Sequence, residues 1–353
     1  MNPTLTPANR DELVDAVRAT PHLIAVGAET KPRLSAVNAI RMSMTGLSGI
    51  VEYDPGEFTF TALAGTPVQE IVDTLTAQGQ HLPFDPLWVE AGATIGGTVA
   101  SGVSGPGRFR FGGLRDFILG VQFVDGAGDL LRMGGKVVKN AAGFDLPKFF
   151  VGSLGRFGIL TELTFKVFPR PASHVTLTLD ANDPETAATI LMQAASARWE
   201  LEALDILPDG STIALRVSGP TAALEPLTSE ILGRWPGRQL SEESADALWS
   251  DLREGRWTNS DAPLIKVAMS PAVVVPLIRS VNDMTGAQIH VSAGGNMAFV
   301  SLATTDQAAI FDEQLRRQQL PGITLRGDGP LWCGRIDRPK IASAIKIALD
   351  ATN

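Results

Sequence analysis

The sequence has few of the residues that build several common kinds of functional site. Its 353 residues include one cysteine and four histidines, and the formal net charge at pH 7 is −8. A single cysteine allows no intrachain disulfide and no cysteine-ligated metal or iron–sulfur centre. The acidic balance argues against a nucleic-acid-binding protein, which normally carries a basic face.

Long hydrophobic runs are also missing. No uninterrupted apolar stretch approaches the ~20 residues that a membrane helix needs. The N-terminal stretch MNPTLTPANRDELVDAVRAT has no apolar signal core. We therefore expect a cytoplasmic protein, whose contact with the inner face of a membrane would be made only through partner proteins. No metal site is expected, because the four histidines have no metal-binding spacing: His22, His81, His174 and His290.

The chain is long enough for about two domains. The segment FPRPAS, residues 168–173, breaks both helix and strand and predicts a domain boundary. Before it, Thr6 and Pro7 are typical of a helix start and predict a helix over residues 6–19. After it, strand and helix patterns follow each other in two βαββαβ passes, which predicts an antiparallel sheet covered by helices.

The most unusual stretch is GATIGGTVASGVSGPGRFRFGG, residues 92–113, which holds eight glycines and no acidic residue. Glycines are costly to order, so their density indicates that something approaches the backbone closely. Two further segments bring glycines to the end of a regular element, GAETK (27–31) and GSLGRFGILTE (152–162). Turns of this kind gather backbone N–H groups into anion-binding concavities. A tight turn or close packing of the chain would explain any one segment alone; three together favour a ligand such as a dinucleotide.

Two familiar nucleotide sites are excluded by their missing signatures. There is no GxGxxG after the first strand, so a Rossmann site is not expected. There is also no GxxxxGK[ST] loop that would cradle phosphates in a P-loop protein.

The order GAETK, GATIGGTVASG with RFRFGGLRD, and KNAAGFDLPKFFVGSLGRFGILTE resembles the FAD-binding domain of the vanillyl-alcohol-oxidase (PCMH) type over about residues 6–170. Within this family it is most similar to the smaller flavin subunits of bacterial glycolate oxidases. The resemblance implies an α+β fold in which two subdomains, about 1–55 and 56–170, clasp FAD. A ferredoxin-like α+β cap domain would follow over 171–330. A C-terminal helix within 331–353 would pack back on either domain.

The resemblance also implies which residues bind FAD. The first loop would wrap the pyrophosphate, the GATIGG segment the pyrophosphate and ribityl chain, the RFRFGGLRD segment the flavin, and the third segment the adenosine half. Since the first loop has no histidine, the FAD would be held non-covalently. The implied cofactor-binding residues are Gly27, Ala28, Glu29, Thr30, Lys31, Ala93, Thr94, Ile95, Gly96, Gly97, Ala100, Ser101, Gly102, Arg110, Phe111, Gly112, Asp116, Gly155, Gly158, Ile159 and Thr161.

The implied function is an FAD-binding subunit of a complex that oxidises a small 2-hydroxy acid, as glycolate to glyoxylate. A larger flavin subunit and an iron–sulfur subunit would be its partners. Two alternatives stay open: a self-sufficient FAD oxidase or dehydrogenase of another alcohol or hydroxy acid, and a structural subunit without redox activity. The sequence identifies no catalytic residue. His290 is the only histidine placed plausibly for a base, although a packed histidine is commoner at such a position.

Overall fold

The computed structural model describes residues 4–135, 145–259, 261–337 and 340–350. Residues 139–144 of the third resemblance segment, and the start of the predicted C-terminal helix, lie outside these ranges. The described chain has mixed helix and sheet, which confirms the predicted α+β class. No helix of the described ranges combines the length and the hydropathy needed to cross a bilayer.

A small parallel sheet opens the chain. Its strands are β1 (Thr4–Leu5), β2 (Leu23–Val26) and β3 (Ile40–Ser43), in the order β1-β3-β2. Helix α1 spans Arg10–Ala19 and packs through Leu13. The predicted start at Thr6 is wrong: the Asn9 side chain accepts the Glu12 N–H at 3.0 Å and caps the helix there.

An antiparallel sheet follows, in the order β4-β5-β9-β7-β8. Two of its strands, Ile118–Val124 and Leu130–Gly134, form a hairpin in which Val124 pairs with Leu130. A short pairing of β6 with β10 lies beside this sheet. The strands are β4 (Ile50–Asp54), β5 (Thr59–Leu63), β6 (Gln80–His81), β7 (Ile118–Val124), β8 (Leu130–Gly134), β9 (Ile159–Lys166) and β10 (Phe168–Pro169). The helices between them are α2 (Val68–Thr76), α3 (Ile95–Ser101) and α4 (Arg108–Phe111).

The rest of the chain builds one long antiparallel sheet from two ferredoxin-like units. The first unit has the strand order β14-β11-β13-β12, and the second has β16-β17-β15-β18 with β19 at its edge. The units join where β12 pairs with β16 at Ile206 and Val291. The strands are β11 (Ser173–Leu179), β12 (Leu201–Ile206), β13 (Ile213–Gly219), β14 (Gly237–Gln239), β15 (Leu264–Ala268), β16 (Gln288–Ser292), β17 (Met297–Ser301), β18 (Pro321–Arg326) and β19 (Trp332–Gly334).

Helices cover one face of this long sheet, as the two passes predicted. Asp183 caps α5 through the Thr186 N–H at 2.7 Å, and Pro184 occupies its first position. The helices on this face are α5 (Pro184–Ala195), α6 (Thr221–Arg234), α8 (Val274–Asn282) and α9 (Asp306–Arg317). Helix α7 (Glu242–Glu254) packs on the opposite face through Trp249 and Leu252, and α10 (Lys340–Leu349) packs on the N-terminal region.

The other face of the long sheet packs against the N-terminal region, residues 4–170. Leu264, Met297 and Phe299 share one apolar core with the sheet β4-β5-β9-β7-β8. Helix α10 returns to the same core through Ile345 and Leu349. The Gly126 N–H donates to the Leu349 carbonyl at 2.8 Å and fixes the helix end beside the β7–β8 turn.

Candidate cofactor site

A pocket lies where the three glycine-bearing segments meet. The loop 27–31 follows β2, helix α3 carries the GG pair, and the turn 152–158 leads into β9. The lining residues are Ile24, Ala25, Val26, Gly27, Ala28, Glu29, Thr30, Lys31, Leu34, Ser35, Met44, Ala64, Thr94, Gly96, Gly97, Ala100, Ser101, Leu154, Gly155, Gly158 and Leu160. Residues far apart in the sequence thus line one continuous pocket.

Backbone hydrogen bonds hold helix α3 between two neighbouring segments. The Gly96 N–H donates to the Ala64 carbonyl at 2.8 Å, directly after β5. At the other end of the helix, the Leu154 N–H donates to the Ala100 carbonyl at 2.9 Å. The Thr94 hydroxyl caps the helix by accepting the Gly97 N–H at 3.3 Å. These bonds fix the pocket floor without a ligand.

The glycines of the stretch 92–113 mostly make room for the protein itself. A Cβ at Gly96 would lie 2.8 Å from the Ala64 carbonyl oxygen, and one at Gly102 would lie 2.9 Å from the Gly152 backbone. At Gly105 a Cβ would approach the Asp85 carbonyl oxygen to 2.3 Å. Close packing of chain segments therefore accounts for these positions, and it brings the three segments together.

Two pocket-lining positions, Gly155 and Glu29, have a left-handed backbone conformation that close packing of the protein does not explain. Gly155 has φ +75° and lines the pocket, yet a Cβ there would meet no protein atom within 4 Å. Glu29 has φ +55°, a conformation that favours glycine, and its carboxylate pairs with Arg41. The backbone at Glu29 thus keeps a glycine-type turn although the side chain is long.

Lys31 gives the pocket its charge. The side chain is 8% exposed, its Nζ donates to the Thr30 hydroxyl at 2.9 Å, and it lies 5.0 Å from the Trp88 ring centroid. Burial lowers the pKa of Lys31 to about 8. An ammonium that contacts only a hydroxyl and an aromatic ring in a pocket favours an anionic ligand.

Some residues expected at the cofactor lie outside this pocket. Ala93, Ile95, Ile159 and Thr161 are buried behind its walls. Gly102 follows the helix, where its carbonyl accepts the Lys266 ammonium at 2.9 Å. The remaining expected residues belong to the segment around α4 and lie apart from the lining: Arg110, Phe111, Gly112 and Asp116.

The α4 segment packs towards the long sheet. Arg110 pairs with Glu200 at 2.8 Å, and Phe111 meets His81 edge-to-face with ring centroids 6.1 Å apart. The Gly113 N–H donates to Asp116 at 2.9 Å, which shapes the turn after the helix. The assignment of these residues to a flavin contact stays a prediction.

Sequence reasoning missed the apolar part of the lining. Its members come from β2, from the turn Pro32–Ser35, from the turn after β3, from the residue after β5 and from the third segment: Ile24, Ala25, Val26, Leu34, Met44, Ala64, Leu154 and Leu160. The polar Ser35 of the same turn was missed with them. The signal for the first three was the apolar strand that leads directly into GAETK. The others come from elements whose neighbours only the fold decides.

His290, the one histidine whose position left a role as base open, is a packed residue, as is commoner at such a position. It is 2% exposed, and its Nε2 lies 2.8 Å from Asp205, which also accepts from Ser292 and from the Ala293 N–H. The rings of Trp257 and Phe299 flank it. His290 therefore has no open path to a substrate in this structure.

A second, polar cleft of about 800 Å³ separates the N-terminal region from β11–β13 and α7. Arg216 lies at its floor and binds Asp85 of the N-terminal region at 2.6 Å and Glu202 of β12 at 3.0 Å. His174 extends the chain of contacts, with Nδ1 2.9 Å from Glu202. This network connects the two regions of the molecule.

The first pocket fits FAD on three observations. Its walls come from all three glycine-bearing segments; it holds an ammonium without a carboxylate partner among the described residues; and Gly155 leaves open space at the wall. A dinucleotide carries the matching diphosphate and needs such a backbone approach.

Comparison with known proteins agrees. Residues 3–134 match the family model described as an FAD binding domain. The glycolate oxidase subunit GlcE of Escherichia coli (strain K12) is 39% identical over 58% of this chain and 56% of that protein. The glycolate oxidase subunit GlcD of Bacillus subtilis (strain 168) is 28% identical over 57% of this chain and 44% of that protein. The D-lactate dehydrogenase of Anaerostipes hadrus is 29% identical over 49% of this chain and 36% of that protein.

These matches span about half the length of the curated relatives or less. A solved structure of alkyldihydroxyacetonephosphate synthase shares the fold, with a TM-score of 0.70 at 15% identity. It covers 99% of this chain and 75% of that one. Residues 3–134 therefore form an FAD binding domain, and FAD is the cofactor of this chain.

Proposed function

We propose that this chain is the FAD-binding subunit of a complex that oxidises a small 2-hydroxy acid, with glycolate as the substrate and glyoxylate as the product. The observation that carries the proposal is the pocket itself. It brings together the three segments that resemble a flavin domain, and it holds a buried ammonium, while the carboxylate of Glu29 in the same lining pairs with Arg41. The named relatives, which are glycolate oxidase subunits and a D-lactate dehydrogenase, support a 2-hydroxy acid as the substrate class.

The chemistry would be a two-electron oxidation. The substrate carbon gives up its hydrogen with two electrons, the hydroxyl gives up a proton, and a carbonyl forms. Bound FAD supplies the two-electron acceptor. The chain's own residues would bind and orient it: the loop 27–31 and Thr94 at the diphosphate, Ala100 and Ser101 further along, and Gly155 and Gly158 at the opposite wall.

The electrons would then leave to partner subunits. One partner would be a larger flavin subunit and the other an iron–sulfur subunit, with any membrane contact made through them. The subunit name of the Escherichia coli relative supports an assembly of this kind. The single cysteine of this chain also means that an iron–sulfur relay would have to be supplied by another chain.

The purified chain should be tested alone and with its partners. We expect a flavin absorption spectrum, release of FAD by acid, and slow bleaching by glycolate unless the partner subunits are added. Rapid bleaching of the isolated chain by one 2-hydroxy acid would contradict shared catalysis and support a self-sufficient enzyme. If the chain binds FAD but the complex is equally active with and without that FAD, the chain would be a purely structural subunit.

A further inference from the structure

Lys31 is a buried cation whose charge the described residues do not neutralise. Its Nζ donates to the neutral Thr30 hydroxyl, and among the described residues its only other polar contact is with the face of the Trp88 ring. No carboxylate of the described residues lies within ion-pair distance of Nζ.

The neighbouring charged groups are occupied elsewhere. Glu29, in the same loop, pairs with Arg41. Arg33 donates to the Gly329 carbonyl at 3.0 Å. The loop therefore buries one cation and directs its carboxylate away to an arginine.

The described elements around Lys31 place no carboxylate beside its ammonium. Helix α3 carries no charged residue. The turn 152–158 contributes only Arg156, which is exposed. Beyond Trp88, the Glu254 carboxylate accepts the Glu90 and Ala91 N–H groups, and Glu90 pairs with Arg256.

Burying an ammonium without an ionised partner is unfavourable, because water solvates the charge far better than a hydroxyl and an aromatic face do. The lowered pKa of Lys31, about 8, expresses this cost. The cost would be offset by an anion placed in the pocket that Lys31 lines. A diphosphate is the anion that FAD would bring there.

We infer that the Lys31 ammonium is the cationic anchor of the FAD diphosphate, and that FAD binding at alkaline pH therefore takes up a proton at this side chain. The inference rests on the proposed assignment of the pocket to FAD and deepens it. It gives the affinity for FAD a pH dependence that a site built from backbone amides alone would lack.

The sign of the effect follows from the two states. Without FAD, Lys31 loses its proton as the pH rises through about 8. With FAD, the diphosphate favours the ammonium and raises the pKa of Lys31. The dissociation constant for FAD should therefore increase by up to about tenfold per pH unit between these two pKa values.

The test uses the full chain freed of FAD and titrated with FAD, with flavin fluorescence as the readout, from about pH 7 to about pH 9.5. Lys31→Arg keeps the charge over the whole range and should bind FAD tightly with little pH dependence. Lys31→Met keeps the length and loses the charge. It should bind roughly 10–100 times more weakly at pH 7, again with little pH dependence.

ADP and adenosine separate a diphosphate contact from a general loss of fit. Both compounds are used as competitors of FAD. Lys31→Met should bind ADP more weakly than wild type does, whereas its affinity for adenosine should be unchanged. Wild-type protein that binds FAD equally at both ends of the pH range, or Lys31→Met that matches wild type at pH 7, overturns the inference and leaves the proposed function standing. Wild-type protein that binds no FAD at any pH overturns the pocket assignment and this inference together. If Lys31→Met fails to fold, the wild-type and Lys31→Arg profiles still decide.

Discussion

Arg216 of the long sheet donates from its Nη2 to the Asp85 carboxylate of the N-terminal region at 2.6 Å. The same Asp85 oxygen accepts the Gly107 N–H at 2.9 Å, at the start of α4. One buried carboxylate thus joins the cap-like sheet to the glycine stretch. Burial alone raises the pKa of Asp85, but Arg216, Arg253 and the Gly107 N–H outweigh it and hold the pKa below its ordinary value.

Removing the Asp85 charge should destabilise the protein strongly. In Asp85→Asn the buried Arg216 would keep only Glu202 as an ionic partner, at a cost of about 3 kcal/mol. Urea denaturation of the FAD-free chain measures this loss. Glu313→Gln is the matched control, because it breaks the exposed Arg317 pair and should cost no more than about 0.5 kcal/mol. Equal losses for the two variants would show that the Asp85–Arg216 pair has no special role.

The same carboxylate predicts an acid-sensitive stability. Because the pKa of Asp85 is lowered in the folded state, its stabilisation is present above the ordinary aspartate pKa and is lost as the pH falls through the folded pKa. Urea midpoints should fall less steeply below about pH 4 in Asp85→Asn than in wild type. Parallel pH profiles for the two proteins would argue against this linkage.

Lys266 predicts a second rise of stability with pH, in the alkaline range. Its ammonium donates to the Gly102 carbonyl at 2.9 Å, and burial followed by Arg108 lowers its pKa to about 8. Between pH ~8 and ~10.5 the unfolded chain binds more protons than the folded one, so stability rises with pH over this window. Lys266→Met should reduce that rise in urea titrations of the FAD-free chain, while Lys31, whose pKa is also lowered to about 8, still contributes to it. Lys340→Met, an exposed position on α10, should leave the rise intact.

Two glycines should respond differently to alanine. Gly96→Ala places a Cβ against the Ala64 backbone, so α3 must shift, and we expect a loss of roughly 1–3 kcal/mol together with weaker FAD retention. Gly233→Ala, in α6, meets no atom within 4 Å and should be neutral or slightly stabilising. Thermal unfolding and bound-flavin absorbance measure both. If Gly96→Ala is destabilised but retains all its FAD, the position of α3 does not control cofactor binding.

Helix α10 should stabilise the N-terminal region although it ends the described chain. Ile345 packs on the core of that region, whereas Ile347 is 67% exposed on the same helix. Ile345→Ala should lower the unfolding free energy by about 1–2 kcal/mol, and Ile347→Ala by much less. Urea denaturation checks the pair. A larger loss for Ile347→Ala would indicate that this exposed face is buried in an assembly.

The sequence by itself determined the local features. Asp183-Pro184 starts a helix because an aspartate cap and a proline at the first position act within one turn. The hairpin of β7 and β8 and the two βαββαβ passes also follow from patterns that neighbouring residues set. The motif order predicted FAD as the cofactor, and the family match confirms it.

Only the tertiary structure decided which residues lie against the glycines and the charged side chains. The reason for Gly96 and Gly105 is contact with Ala64 and Asp85, residues whose proximity depends on how strands and loops pack, so no local pattern shows it. The sequence left His290 open as a base or a packed residue, and its packing between two rings and Asp205 decides for the packed residue. Burial likewise turns Lys31 from one of many lysines into an unneutralised charge, because desolvation is a property of the folded environment and not of the residue.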